Sequence, residues 1–256
     1  MMMKMRLLTL YFSLICSTTV FAQLSPPGMG ETKTAFWSAA GVKQELDNIN
    51  TSMTYVGFGR ISGSNEADPL DMPSIFVLNQ EFYHKFSPDW KYSFALSYRR
   101  QHEYDESFEE NKQDAINQEF RFYIRLQYTA DLGTVRWTTT LRQEARKFYT
   151  DDFAEVPDGL QFRTRLKTQL VVPLDNAGVN SVAGSAEALF AIAKDNSEGW
   201  GNFEYKESRF CLYYSLSLKD IPVTFDIGYM NDLIGYASDT YDANYIAMDI
   251  IVKDPF

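Results

Sequence analysis

Nine basic residues stand out for chemistry: Arg121, Arg125, Arg136, Arg142, Arg146, Arg163, Arg165, Lys167 and Arg209. They alternate with large apolar side chains, and Glu119, Glu144, Glu187 and Asp226 fall on the same side of that alternation. Guanidinium forks and carboxylates make short bidentate pairs, so one chemistry of this set is a structural ion-pair network. The other is a locally basic surface that carries small anions. Residue types and spacing leave both open.

Other chemistries have thinner support. Only His84 and His102 are present, and no G-x-S-x-G turn occurs. A lipid hydrolase on a barrel wall would need a His beside a Ser on its lipid side. His102 continues the face of Tyr98 and Arg100, whereas Ser97 takes the opposite face. Carboxylates cluster at Glu103, Asp105, Glu106, Glu109, Glu110 and Asp114, and again at Asp151, Asp152, Glu155 and Asp158. Asp232, Asp239 and Asp242 form a third group. Oxygen ligands suit calcium, but no EF-hand spacing is present, and a solvated acidic rim is the expectation. No metal, cofactor or catalytic residue is assigned.

The elements that carry these residues are strands. Trp90, Tyr92, Phe94, Leu96 and Tyr98 share one face, and Lys91, Ser93, Ala95, Ser97 and Arg99 the other. The same period of two runs through Phe120 to Tyr128, Val135 to Arg142, Gln161 to Val172, Arg209 to Leu218 and Val223 to Tyr229. Several stretches exceed the ~5–6 residues of ordinary globular strands and suit the roughly 9–11 of a tilted membrane strand. Arg or Lys on a lipid face costs about 2–4 kcal/mol at the bilayer midplane. The charged face must therefore point into a lumen, as side chains of narrow barrels do.

The ends agree. Residues 1–22 read as a secretory signal: Lys4 and Arg6, an apolar run over 7–20, then Val20-Phe21-Ala22 before Gln23. Residues 23–256 are expected to form one barrel domain. Ile246, Met248, Ile250 and Val252 define a final alternating strand, and Phe256 ends the chain on an aromatic, an expected assembly signal. Cleavage leaves 22 basic against 34 acidic residues, a net of −12, which argues against nucleic-acid partners. One thiol remains, Cys211, expected as a packing residue in a strand. A soluble periplasmic or secreted protein is the alternative.

Short turns are expected near 87–89, 130–133, 174–178 and 219–221. Longer polar loops are expected near 62–73, 105–115, 151–158, 195–201 and 232–244. Eleven strand candidates result, starting with 34–46 and 53–61. Single-chain bacterial barrels normally have an even number, so ten or twelve is expected. Ten follows if the first candidate is not a full span, and twelve if one strand is missing from the eleven. The glycine-bearing 55–60 segment alternates poorly, and 74–84 carries apolar residues on both faces.

The series Gln118-Glu119-Phe120-Arg121, Leu141-Arg142-Gln143-Glu144-Ala145-Arg146, Phe162-Arg163-Thr164-Arg165-Leu166 and Ser208-Arg209-Phe210, with Phe36-Trp37-Ser38, resembles an uncharacterised Bacteroidota outer-membrane barrel family, the domain of unknown function twenty-four-ninety. The resemblance implies a barrel of about this size and supplies no activity or site residues. The reading is an all-β, antiparallel, up-and-down transmembrane β-barrel of 10–12 strands in the bacterial outer membrane. It is expected to be non-enzymatic, structural or transporting small solutes. Expected partners are outer-membrane lipid, lipopolysaccharide and the barrel-assembly machinery. The alternatives are a lipid- or lipopolysaccharide-modifying enzyme and a surface interaction module or subunit of an envelope complex.

Overall fold

A computed structural model describes residues 24, 26–30, 32–63, 67–104, 115–195, 199–236 and 240–256. The expected signal at 1–22 and the acidic stretch 105–114 lie outside the described residues.

The described chain holds twelve strands: β1 (Thr34–Glu45), β2 (Asn50–Ile61), β3 (Met72–Lys85), β4 (Trp90–Glu103), β5 (Ala115–Leu132), β6 (Val135–Tyr149), β7 (Glu155–Pro173), β8 (Asn180–Asp195), β9 (Gly199–Trp200), β10 (Glu204–Ser217), β11 (Val223–Ile234) and β12 (Tyr241–Lys253). β9 is a two-residue ribbon on the end of β8. The other eleven pair with their neighbours in sequence order, β10 pairs with β8, and β1 pairs with β12, so the sheet closes on itself. Eleven wall strands fall within the expected 10–12 and equal the eleven candidates in the sequence, while the expected even number does not hold. β1 is a full strand. With an odd number, the first and last strands must run the same way, and Thr34↔Asn244 to Lys43↔Lys253 is a parallel register. Parity rests on antiparallel closure, and this barrel closes differently.

Turns at 46–49, 86–89, 133–134, 174–179 and 218–222 gather at one end, called here the turn end. The longer connections gather at the loop end. Gly133 and Gly178 adopt positive φ (68° and 65°), which lets two of these turns be tight. Two expected loops are shorter than predicted. β7 already begins at Glu155, and β11 runs on to Ile234 before β12 begins at Tyr241. β12 stops at Lys253, so Phe256 lies beyond the strand, almost wholly exposed. It is tied back by its N–H to the Gln44 side chain.

The outward faces are apolar. Leu96, Leu212 and Leu166 are 67%, 57% and 53% exposed, and Phe122, Leu126 and Phe225 also point out. Aromatic rings border this belt. Trp90–Tyr128 (4.9 Å) and Tyr128–Trp137 (6.1 Å) lie towards the turn end. Tyr98–Phe120 (5.3 Å) and Phe120–Tyr149 (5.8 Å) lie towards the loop end. Along β4 the eight steps from Trp90 to Tyr98 span about 26 Å.

The interior divides in two. Behind the β1–β12 seam, Trp37, Met53, Tyr213, Met230, Tyr245 and Ile251 form an apolar core, with Cys211 packed against it. The glycines of β2 serve this core. A Cβ on Gly57 would enter the Trp37 indole, and one on Gly59 would enter Met29. The weak alternation of 55–60 thus reflects a backbone that lets large side chains from other segments lie flat on it. The opposite wall, β3 to β8, is charged.

Among the described residues before β1, which starts at the loop end, Leu24 and Pro26 to Met29 lie inside the barrel. Leu24 and Met29 are buried in the core. The Met29 N–H donates to Tyr245 Oη (3.1 Å), and Arg209 Nη1 donates to the Pro26 carbonyl (3.3 Å).

Candidate functional site

Alternation puts the charges of β4 to β8 on the inner side, and register decides which meet. Glu144 on β6 is at the centre. It receives Arg142 (2.6 Å) from its own strand, Arg165 (2.8 Å) from β7 and Arg121 (3.1 Å) from β5. Glu119 takes Arg121 (2.7 Å), Arg146 (2.6 Å) and Arg99 (3.7 Å). Arg165 also reaches Glu187 (3.0 Å), and Glu187 lies 3.9 Å from Arg209. Arg209 then binds Asp232 (3.2 Å) and Glu207. One continuous chain of ion pairs therefore runs around the inner wall from β4 to β11. Each carboxylate has two oxygens with about four acceptor sites, so Glu144 can serve three arginines on adjacent strands, and each guanidinium offers five donors, so Arg209 can serve several carboxylates.

Arg125 sits nearer the turn end, 3.4 Å from Glu81 on β3. Glu81 also accepts from Ser93 Oγ (2.5 Å) and Tyr123 Oη (2.8 Å). The Arg142 guanidinium lies over the Tyr123 ring at 3.5 Å, a cation–π contact. Lys167 is half-buried on the inner face of β7. Arg136 pairs with Asp131 (3.0 Å) at the mouth of the turn end.

Of the expected residues, Arg125 and Arg136 pair outside the ion-pair chain, and Arg163 and Asp226 also sit apart from it. Arg163 faces Glu144 in register, yet among the described residues it bonds Gln161 Oε1 (2.6 Å) and makes no carboxylate pair. The three closer arginines already surround Glu144. Asp226 stands directly across from Asp249 and accepts from Ser215 Oγ. Phe256 belongs to neither group.

Sequence reasoning missed Glu81, Arg99, Glu207, Asp232 and Asp249, all of them buried. Asp232, expected in an acidic loop, is 0% exposed on β11. The signals were present in part. Arg99 continues the face of Lys91 and Ser97, and Asp232 and Asp226 are six positions apart on one face of a longer β11.

A cavity of about 400 Å³ occupies the lumen. Turn residues Asp47, Asn48, Ile49, Pro88 and Asp89 line its mouth, so it opens at the turn end. Arg99, Arg121, Arg165 and Arg209, with Leu24, Pro26 and Pro27, line its inner part. No described residue of the loop-end connections lines it. His84 lies outside, on the lipid-side face of β3, and its Nδ1 pairs with Asn50 Oδ1 (2.8 Å) rather than with a serine. His102 stacks on Tyr104.

The family model described as "Protein of unknown function (DUF2490)" matches residues 76–242, from within β3 to the start of β12, and takes in the whole ion-pair chain. The chain belongs to that family. Among curated proteins, none matches the chain by sequence. Twelve solved chains match, two of them as follows. One is described as "Bacterial polysaccharide outer membrane secretin", at 9% identity and TM-score 0.36, over 77% of this chain and 82% of that one. The other is an anion-selective porin from Comamonas acidovorans, at 12% identity and TM-score 0.29, over 78% of this chain and 55% of that one. Both superpose loosely.

Proposed function

We propose that this member of the DUF2490 family is a non-enzymatic outer-membrane barrel with a closed lumen. In it the Arg/Glu chain braces the wall, and no through-going pore exists. Membrane insertion is supported by the outward belt. Contiguous exposed apolar surface on this scale is foreign to soluble monomers, and here it runs between two aromatic borders, as in lipid-facing barrels. By the rule that outer-membrane barrels keep short turns in the periplasm, the turn end faces the periplasm. Outer-membrane lipid and lipopolysaccharide would then surround the belt, and the barrel-assembly machinery would insert it.

The single observation carrying the closed-lumen reading is the bond from Arg209 to Pro26. It fastens Pro26, inside the barrel, to the ion-pair chain. A segment held in this way fills the space a solute would cross.

The test is direct. Barrel refolded in detergent should migrate differently on gels before and after boiling, and in planar bilayers it should give no stable conductance. Finding the full-length protein soluble in the periplasm would sink the membrane reading. A steady anion-selective current from the wild type would sink the closed lumen.

A further inference from the structure

The periplasm-facing cavity has a charge opposite to that of the chain. The protein carries a net −10. Yet eleven Lys and Arg against six Asp and Glu line the cavity.

The surplus is concentrated on one wall. Arg125 on β5, Arg142 on β6 and Arg165 on β7 stand directly opposite one another in register, three cations in one row across three strands. Like charges directly opposite are destabilising in a sheet, so such a row needs anions. The protein supplies too few. Glu81 is shared by Arg125 with Ser93 and Tyr123, Glu144 is divided among Arg142, Arg165 and Arg121, and Glu187 is divided between Arg165 and Arg209. Lys91, one strand over on β4, adds a further cation, with its ammonium 5.1 Å from the Tyr83 ring. Opposed residues hold their Cβ atoms about 4.5–5.5 Å apart, so one oxyanion can reach the forks of Arg125 and Arg142 together. The side chains of these two remain 24% and 19% exposed, although their neighbours in the chain are sealed. The volume matches the range of about 300–1,000 Å³ common to small-molecule sites.

We propose that this cavity is a binding site for a small phosphate-class anion entering from the turn end, with Arg125 and Arg142 as the bidentate clamp and Lys91 as the third cation. The phosphate group is the shared chemistry. It can come from a free or soluble esterified phosphate, or from a lipid headgroup. The mouth is ringed by polar turn residues and the cavity lies inside the wall, which favours the soluble source. This inference rests on the closed-barrel reading, since an open pore would let the anion pass rather than hold it.

The experiment uses the full chain refolded in zwitterionic detergent, titrated calorimetrically with inorganic phosphate and with glycerol 3-phosphate against sodium chloride at matched ionic strength. Phosphate should bind at one site per barrel. Lys91→Gln, outside the ion-pair chain and expected to fold normally by gel mobility, should weaken binding about tenfold or more, the scale of one charge-assisted hydrogen bond. Arg125→Gln should weaken it further. Lys194→Gln, on an exposed position near the loop end, should change nothing. Chloride acting as well as phosphate would overturn the proposal. So would Lys91→Gln binding like wild type, or binding seen only when phosphatidylglycerol is added to the micelle. A folded, non-conducting barrel that ignores phosphate defeats this inference and leaves the closed-barrel reading standing. A conducting barrel defeats that reading instead.

Discussion

Arg209 donates to the carbonyl oxygen of Pro26 while the same guanidinium pairs with Asp232. A residue of the barrel wall thereby holds a segment 183 positions earlier in the chain against the inside of the lumen. Deleting residues 24–30 should leave a folded barrel, judged by gel mobility, and should raise conductance from near nil to a measurable level in planar bilayers. Unchanged silence of the folded deletion would mean that the wall alone closes the lumen.

Glu144 and Arg142 are partners with unequal consequences. Removing Arg142 leaves Glu144 with two arginines. Neutralising Glu144 leaves three cations around one lost charge, and breaking a buried pair in this way costs about 3–5 kcal/mol. Glu144→Gln should therefore lower the denaturation midpoint of the detergent-refolded barrel more than Arg142→Ala does. Neither should open a pore. Equal or reversed losses would show that the network does not centre on Glu144.

Gly57 lies under the Trp37 indole, which is 1% exposed. Gly57→Ala should cost about 1–3 kcal/mol by overpacking. The double variant with Trp37→Leu should recover part of that loss, because contacting residues couple. Simple additivity of the two substitutions would refute the contact.

Asp175 lies in the β7–β8 turn, outside the wall. Its carboxylate accepts from the Asn180 side chain (2.7 Å) and from the N–H groups of Val179, Asn180 and Ala177. The Asn180 side-chain bond, then the backbone bonds, hold Asp175 below its ordinary range. A depressed acid stabilises above its unfolded value, about 3.9 for aspartate, and the contribution is lost as pH falls through the lower folded value. The amide shifts of Val179 and Asn180 should thus hold steady from neutral pH down past 4 and move only in stronger acid. Asp175→Asn should remove that transition.

Facing can be read residue by residue. A photo-crosslinking probe at Leu126 should label lipid, and one at Arg125 should not, since a one-residue slip reverses a whole strand. Lipid labelling at position 125 alone would overturn the register.

The barrel was legible because alternation is local. Trp90 to Arg99 declares both its faces without reference to any other strand. Parity was not legible, because nothing in 34–45 or 241–253 states that they run side by side in the same direction. Nor were the partners of each charge. Arg163 looks as suited to Glu144 as Arg165 does, and only three-dimensional crowding separates them. Asp232 was misread for a simpler reason. β11 continues through Asn231 and Asp232, polar residues that resemble a loop until Arg209 supplies the partner that makes burial tolerable. The inner part of the cavity is lined by Leu24, Pro26 and Pro27, whose composition does not announce that they lie inside a wall.

The parallel seam also bears on assembly. Every other pair in the wall joins strands adjacent in sequence, whereas β1 and β12 are brought together from opposite ends of the described chain, Lys43 meeting Lys253. Closing a loop of roughly 200 residues costs about 5 kcal/mol of chain entropy, and no turn directs the two strands into register. The wall should therefore exist first as an open curved sheet with two unpaired edges, each a template for strand addition. Trp37, Met29 and Tyr245 complete their packing only when those edges meet. The last contact made would also be the first to yield, so the seam is where a strand from another chain could be received before the barrel shuts.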